Sequence, residues 1–328
     1  MAEPTDTTRG ELSPVEVRCY FVRERNALLV RGNFGPLYMD YYLHWMQHGI
    51  QLDPAHDAIL KEAVAALTLH MASKPHDEVH AWTINFQNPL LNLFVTGDNG
   101  LGSVTGRVWN DDVRPLENGL FCAERTTRPS GKSHRSTTSL RPGSSPFRAA
   151  EEFYQQSEQR CARILRYSDE DFVMITAQPD CDIEWLMDLS EADLRNLDDE
   201  EELSLLETRQ YHFDCGCSAE KIIPRFSGLS DADRNEIFGD DDSIRIACPR
   251  CGAKIDRLRV ALPRSPRAMM STKPPERKVF TRLLVDVMPP LISSATPSAP
   301  SKKLPPVAPL PIGGSASVAP PSAIAKVN

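Results

Sequence analysis

The sequence predicts an α+β protein in which a mixed α/β domain with an antiparallel meander is followed by a helical acidic linker, a small four-cysteine module and a disordered Pro-rich tail. Three observations support this class. Helical patterns are combined with consecutive short strands in the first half of the chain. Four cysteines stand in two close pairs in the last third. Of the 27 prolines, 14 lie beyond residue 261, where the composition cannot support a core.

Length and composition limit the classes of protein to consider. A chain of 328 residues with 41% hydrophobic residues can build one large domain and one small one. Its net charge of -8 is not that of a nucleic-acid binder, so we expect no nucleic-acid partner. No run of apolar residues is long enough to span a membrane, and residues 1–14 lack the layout of a signal peptide. We therefore expect a cytoplasmic protein.

The elements of the N-terminal domain follow from periodicity and turn signals. Apolar residues alternate from Val15 to Phe21, which predicts a half-buried strand. Asp53 and Pro54 provide the N-cap and first residue of a long helix that is apolar on most sides through Met71. The other elements predicted before residue 110 are a strand at 26–30, a helix at 37–48, and strands at 79–86, 90–96 and 102–109.

Beyond residue 120 the pattern is less regular. Residues 124–148 are rich in Ser, Thr, Pro, Gly and Arg, which predicts a disordered basic insertion. A helix is predicted at 151–166 and a strand at 172–177. Residues 182–207 are helical in period, yet five acidic residues follow one another at 198–202, and like charges weaken a helix. The order of this linker should therefore depend on docking.

Changes of composition set the predicted boundaries. The cysteine module is too small to fold on a core of its own, so a bound metal would supply much of its stability. The predicted parts are a disordered N-terminus at 1–13, the α+β domain at 14–180, the acidic helical linker at 181–209, the cysteine module at 210–260, and a basic, then Pro/Ala-rich tail at 261–328.

The cysteine module carries the chemistry predicted for this chain. Cys215 and Cys217 form a C-x-C pair, and Cys248 and Cys251 form a C-x-x-C pair thirty residues later. Two close pairs separated by a loop are typical of a tetrahedral zinc site with four thiolate ligands. We therefore predict zinc as the cofactor, with these four cysteines as its ligands.

Spacing alone leaves the role of the zinc site open. An inert structural clip is the commonest use of four cysteines. A redox switch is the alternative, because a disulfide across one intervening residue closes a strained ring and strained disulfides are labile. The thiolate is also the form of cysteine that oxidants attack.

The motifs around these cysteines are similar to the switch region of the heat shock protein 33 family of redox-regulated chaperones (33 kDa chaperonins). The similarity covers Cys215 to Glu220, the thirty-residue gap and Cys248 to Gly252. It extends to Ile237-Phe238-Gly239 and, upstream, to Tyr154-Gln-Gln-Ser-Glu-Gln159. The order of predicted elements over residues 15–120 also resembles that of the family's N-terminal domain.

The resemblance implies an ATP-independent holdase that is inactive when reduced and zinc-bound. Oxidation would release zinc and form disulfides within each pair, Cys215–Cys217 and Cys248–Cys251. The module and then the linker would unfold, and apolar surface would hold unfolding or aggregating client proteins. The resemblance also leaves room for a homodimer of the oxidised form.

The other residues with chemical potential are weaker candidates. Cys19 and Cys161 are expected as small core residues, and exposure and oxidative cross-linking of Cys181, beside the linker, are only the weaker alternative. The pairs His44/His48 and His76/His80 lack further ligands, and no catalytic constellation is found, so we predict no enzyme. The alternative function is a binding protein with a purely structural zinc ribbon that contacts nucleic acid through its basic segments.

Overall fold

The structure, a computed structural model, describes residues 14–218 and 243–258, together with Lys221, Ser230, Ala232, Asp233 and Asn235. The predicted disordered N-terminus at 1–13 and the predicted tail at 261–328 lie outside the described residues. Within the described part the predicted α+β class is confirmed, because a large sheet, a small sheet and a few helices are present. None of the described helices has the length and apolar character needed to cross a membrane.

Strands make up most of the described fold. They are, in chain order, β1 (Val15–Val22), β2 (Ala27–Asn33), β3 (Glu78–Gln87), β4 (Leu90–Asp98), β5 (Ser103–Trp109), β6 (Gly119–Thr127), β7 (Lys132–Leu140), β8 (Ala162–Arg166), β9 (Asp171–Ala177), β10 (Leu203–Phe213), β11 (Ser243–Ala247) and β12 (Lys254–Leu258). The first ten form one sheet in the order β7-β6-β3-β4-β5-β10-β1-β2-β9-β8, and the last two form an antiparallel pair.

Strand β10 joins two groups of strands in the large sheet. It pairs antiparallel with β1 over eight residue pairs, from Val15 with Tyr211 to Val22 with Leu203. It pairs parallel with β5 over two residues, His212 and Phe213. The two groups, β7-β6-β3-β4-β5 and β1-β2-β9-β8, are therefore connected within the sheet through β10.

The helices confirm the predictions made for the first part of the chain. Asp53 caps α2, since its carboxylate accepts hydrogen bonds from the backbone N–H groups of Ala55 and His56 at 3.0 and 3.1 Å. The α-helices are α1 (Gly35–His48), α2 (Pro54–Ala72), α3 (Pro146–Phe153), α4 (Ile183–Asp188) and α5 (Leu197–Glu200).

Helix α2 lies in the main core against the sheet. It is buried without interruption from Ala63 to Ala72, as expected for a helix that is apolar on most sides. Two strand glycines allow its close approach. A Cβ at Gly97 would lie 2.5 Å from the Met71 sulfur, and a Cβ at Gly106 would lie 2.9 Å from Leu60 Cδ1.

A second, smaller core lies under residues 182–200, which we call the acidic cap. Leu186, Leu189, Leu194 and Leu197 of this cap are buried against strand residues that include Val173, Ile175 and Ala177 of β9. Ion pairs connect the cap, and Glu201 just after it, to the β1–β2 turn and to β2. Arg25 contacts Asp182 at 2.8 Å and Glu201 at 2.9 Å, and Arg31 contacts Asp198 at 2.9 Å.

The prediction of a disordered insertion at 124–148 was wrong, since β6 and β7 form a hairpin there and α3 begins at Pro146. Ser and Thr are compatible with strands, and opposite charges across the pair stabilise it. Arg135 lies directly opposite Glu124 and contacts it at 3.0 Å. The low apolar content fits because β7 is an exposed edge strand of the sheet.

The prediction of one helix at 151–166 was also wrong. Ser145 caps α3, whose last turn continues as a π-helical turn from Tyr154 to Glu158. Gln159 then adopts a left-handed conformation with φ 55°, which ends the helical stretch. The following residues form β8, with Ala162 and Ile164 facing the main core.

The acidic linker is helical only in its first part. Short helical segments extend from Ile183 to Glu200, but Leu203–Phe213 is strand β10, so the helical prediction was wrong over residues 203–207. Along β10 the buried residues Tyr211 and Phe213 alternate with half-exposed His212. Pairing with β1 satisfies the backbone of the strand, and this long-range interaction overrides the local helical period.

A chain of buried polar side chains connects α2, β3 and the π-helical turn. The hydroxyl of Tyr154 is 2.8 Å from His70 Nδ1, and His70 Nε2 is 3.3 Å from His80 Nδ1. His80 Nε2 in turn lies 3.0 Å from a carboxylate oxygen of Glu78. Burial lowers the pKa of His70 well below its usual range and the pKa of His80 to about 4, so both imidazoles are neutral near neutral pH.

The neutral histidines predict a dependence of stability on pH. His80 titrates near pH 4 in the fold and near 6.5 when unfolded, so the unfolded chain binds more protons in that interval. The free energy of unfolding should therefore fall as pH decreases from 6.5 towards 4, by about 1.4 kcal/mol per pH unit for this group. Urea unfolding at a series of pH values, followed by tryptophan fluorescence, measures this free energy.

Two variants separate this effect from other titrating groups. His80→Gln should show a shallower loss of stability with acid than the native chain. His134→Gln, at an exposed position of β7, should retain the native slope because its side chain is solvated in both states. Equal slopes in the native chain and His80→Gln would contradict the assignment.

Candidate metal centre

The four paired cysteines are brought together by two backbone segments. Cys215 and Cys217 follow the end of β10, and Cys248 and Cys251 lie on the turn between β11 and β12. Each pair contains or precedes a glycine in the left-handed region, Gly216 with φ 58° and Gly252 with φ 80°. Such a conformation is accessible to glycine without strain, so both tight turns depend on these residue types.

The sulfur atoms form a compact group. All four lie within 4.8 Å of one another. The Cys215 and Cys248 sulfurs are 3.7 Å apart, and the Cys217 and Cys251 sulfurs are 3.6 Å apart. Four thiolates placed about 2.3 Å from one zinc ion at tetrahedral angles would be separated by about 3.8 Å. The residues therefore fit a zinc ion, and they form the one group of three or more such ligands found among the described residues.

Hydrogen bonds hold the backbone of the turn that carries Cys248 and Cys251. The Cys248 N–H donates to Ala253 O and the Gly252 N–H donates to Cys248 O, both at 2.8 Å. Three of the four cysteines are buried, whereas Cys217 is half-buried. A hydrogen bond from Cys215 lowers the pKa of Cys248.

Arg107 of β5 connects the cysteine group to the large sheet. Its guanidinium donates to the backbone carbonyl of Cys248 at 3.1 Å and lies 4.8 Å from the centre of the Trp109 ring. A Cβ at Gly252 would lie 3.5 Å from the Arg107 side chain. Burial lowers the pKa of Arg107, while negative charge on Cys248 and Cys251 opposes that decrease. The arginine therefore complements thiolates at this site.

Helix α1 packs against the end of β10, just before the cysteines. His44 packs its ring 5.6 Å from the ring of Phe213 and 4.6 Å from that of His48. Burial lowers the pKa of His44 to about 4, and its Nε2 has no hydrogen-bond partner among the described residues. On β10, His212 Nδ1 lies 3.1 Å from a carboxylate oxygen of Asp40 in α1.

The remaining residues singled out in the sequence lie elsewhere. His76 contacts Glu207 at 2.6 Å, whereas His80 belongs to the buried chain with His70, so the two do not converge. Cys19 is buried, and Cys122, Cys161 and Cys181 are half-buried. Sequence reasoning missed Arg107, because an arginine on a half-buried strand carries no signal of contact with a module 141 residues away.

The fold and the site together define the class of protein. It is an α+β sheet domain from which one strand leads directly into a four-thiol centre. The Hsp33 protein family model matches residues 173–256, which contain most of β9, the acidic cap, β10 and all four clustered cysteines. This match confirms the resemblance to the heat shock protein 33 family.

A solved structure supports the same fold. The crystal structure of the 33 kDa chaperonin (heat shock protein 33 homolog) from Thermotoga maritima superposes with a TM-score of 0.56 at 13% sequence identity. The superposition covers 76% of this chain and 96% of the Thermotoga chain. No curated protein sequence matches.

The sulfur geometry predicts a measurable zinc content. After reconstitution, metal analysis should find one zinc ion per chain, and Cys251→Ser should lose it because three thiolates no longer close the tetrahedron. Binding should contribute on the order of 10 kcal/mol to folding of the module. Cys122→Ser is the matched control and should keep full zinc occupancy. Equal zinc loss in both variants would refute the ligand assignment.

The contact of Arg107 with Cys248 predicts a local loosening when it is removed. Arg107→Ala should raise hydrogen exchange of the β11 amides by roughly fivefold, as expected for loss of one hydrogen bond worth about 1 kcal/mol. Arg135→Ala, which removes an arginine from the distant β7 hairpin, should leave exchange in β11 at the native rate. Unchanged exchange in Arg107→Ala would show that the contact does not hold the module.

Proposed function

We propose that this protein is a redox-regulated, ATP-independent holdase chaperone. It is inactive when reduced and zinc-bound, and oxidation with zinc release and disulfide formation activates it to bind unfolding proteins. One observation carries the proposal: the four-sulfur group lies directly after β10, the strand that joins the two halves of the large sheet. The match to the Hsp33 family model over the same segment supports it.

Zinc has a structural role in this proposal. Cys215, Cys217, Cys248 and Cys251 would hold it, and the bound ion would supply a cross-link between the end of β10 and the β11–β12 turn. Among the described side chains of the module, the buried apolar cluster consists of its cysteines and Ala253. The order of the module therefore depends on the thiolates remaining available as ligands.

Oxidation removes the ligands. Each molecule of peroxide takes two electrons from a pair of thiols, so two peroxides would convert the four thiols into two disulfides and four waters. We propose the pairs Cys215–Cys217 and Cys248–Cys251. Two sulfur contacts of the group run between the pairs, at 3.6 and 3.7 Å, and a disulfide bond is only about 2.05 Å long. Formation of disulfides within each pair therefore requires the group to rearrange.

The weakest part of the large sheet lies next to the cysteines. The parallel ladder between β10 and β5 has only two residue pairs, and it is extended by the Asp214 N–H, which donates to Val104 O at 3.0 Å. Cys215 follows immediately. Loss of order at the four cysteines would remove the end of this ladder together with the contact between Arg107 and Cys248, so the attachment between the two strand groups would weaken first there.

The segment before the cysteines offers apolar surface for client proteins. Leu205 and Leu206 of β10 and Met187 of the acidic cap are each more than half exposed. Other leucines of the cap are buried against β9. Release of β10 and of the end of the cap next to it would also expose Leu194 and Leu197, so we propose that unfolded or aggregating proteins bind here in the cytoplasm.

Light scattering of a heat-unfolding client protein tests the proposal. Three preparations of the full chain are compared: reduced and zinc-loaded, peroxide-oxidised, and oxidised then reduced again with zinc. Only the oxidised preparation should suppress aggregation, and re-reduction should abolish the effect. Cys122→Ser should behave as the native chain, while Cys251→Ser should suppress aggregation even when reduced because its module is already unfolded.

The contrary outcomes are distinct. Suppression by all preparations of the native chain would refute redox control and leave zinc a structural role. Suppression by none would refute the holdase proposal and favour a binding protein with a structural zinc ribbon.

A further inference from the structure

Two cysteines outside the metal centre face the same side of the large sheet. Cys161 directly precedes β8, and its carbonyl accepts a hydrogen bond from the Ala177 N–H of β9 at 2.9 Å. Side chains alternate along a strand, so Cys161 shares its face with Leu165 and not with Ala162. Leu165 and Ala177 are buried under the acidic cap, and Cys161 packs against the same cluster.

The chain after β9 turns back towards Cys161. The Cys181 N–H donates to Gln178 O at 3.1 Å, and Asp180 within this turn has a left-handed φ of 61°. The ends of such a four-residue turn lie within about 7 Å. In the β8–β9 register Gln178 follows Ala177, which is paired with Cys161. Cys181 also packs against the apolar cluster under the cap.

Small molecules can reach this position. An open cavity of about 730 Å³ is lined by Cys161, Ala177, Gln178 and Ile183, and on its other side by residues of the π-helical turn. Both Cys161 and Cys181 are half-buried, so neither thiol is sealed in the core. Ile183, which borders the cavity at the start of α4, is 42% exposed.

We infer that Cys161 and Cys181 are a second oxidisable thiol pair, separate from the metal centre, which closes a disulfide when the protein meets peroxide. One thiolate attacks peroxide, its O–O bond breaks, and a sulfenic acid and one water are produced. The second thiol displaces the sulfenic oxygen as another water, so two thiols and one peroxide give one disulfide and two waters. The electrons lost by sulfur reduce the peroxide.

The disulfide would fasten the beginning of the acidic cap to the edge strand β8. Cys181 immediately precedes Asp182, the N-cap of α4, whose carboxylate accepts a hydrogen bond from the Trp185 N–H at 3.0 Å. The start of the cap would then stay on the sheet under conditions that oxidise the metal centre. Burial raises the pKa of Cys181, which makes this pair slower to oxidise than thiolates already held in the anionic form.

Peptide mapping without reduction tests the pair directly. The full-length, zinc-loaded chain is treated with hydrogen peroxide, alkylated, digested and analysed by mass spectrometry. A cross-linked peptide joining Cys161 to Cys181 is expected, and it should be lost in Cys161→Ser and in Cys181→Ser. Cys122→Ser should keep it. Oxidation of the two cysteines only to separate sulfinic acids, or cross-links only to the four clustered cysteines, would overturn the inference.

Hydrogen exchange measures the structural effect. In the oxidised native chain the amides of α4 should exchange more slowly than in oxidised Cys181→Ser, while the reduced forms of the two proteins exchange alike. Equal exchange in the oxidised forms would show that the disulfide does not restrain the cap. Both readouts are independent of aggregation assays, so the pair can be present whether or not the holdase proposal holds.

Discussion

The pairing of β10 with β1 and β5 is the interaction on which the rest of the structure depends. The antiparallel ladder with β1 is long, with eight residue pairs, whereas the parallel ladder with β5 is short, with two. One strand thus makes a strong attachment to one half of the sheet and a weak attachment to the other. The weak attachment ends at the cysteine group, so the chemical state of four sulfur atoms acts on the least secure ladder of the sheet.

Charge distribution reinforces this arrangement. The acidic side chains of the cap repel one another, but two arginines offset this repulsion. Arg25, in the β1–β2 turn, pairs with Asp182 and Glu201, and Arg31 of β2 pairs with Asp198. The cap is consequently ordered through its buried leucines on β9 and its ion pairs with β2 and the preceding turn, and less through its own short helices. Such a segment is stable while docked and has little tendency to remain folded alone, because exposed ion pairs contribute only a fraction of a kcal/mol each.

The predictions from the sequence succeeded where local signals decide structure. Three such predictions were correct: the N-cap at Asp53, the burial of α2 on most sides and the alternating burial along β1. Each depends on residues that are close in sequence. Predictions failed where a distant partner decides. The residues of β7 are polar enough to be disordered alone, but β6 pairs with them. Residues 203–207, which are helical in period, belong to a strand because β1 pairs with them.

The same division applies to the candidate centre. Spacing and the flanking glycines indicated which cysteines cluster, since each pair shares one tight turn. Arg107 could not be found this way, because its contact with Cys248 depends on how the small module meets β5. Likewise Cys161 and Cys181 are twenty residues apart, and only the β8–β9 register and the turn at Asp180 place them on one face.

The separation of β1 from β10 along the chain has a consequence for biosynthesis. All strands of both groups precede residue 178, and the joining strand is complete only at Phe213. At about 5–20 residues per second, roughly 5–20 s pass between translation of β5 and of the end of β10. During that interval β1 and β5 each present an unpaired edge, which is a template for association with other strands. The nascent chain is therefore itself exposed to edge-to-edge aggregation until its last long strand leaves the ribosome.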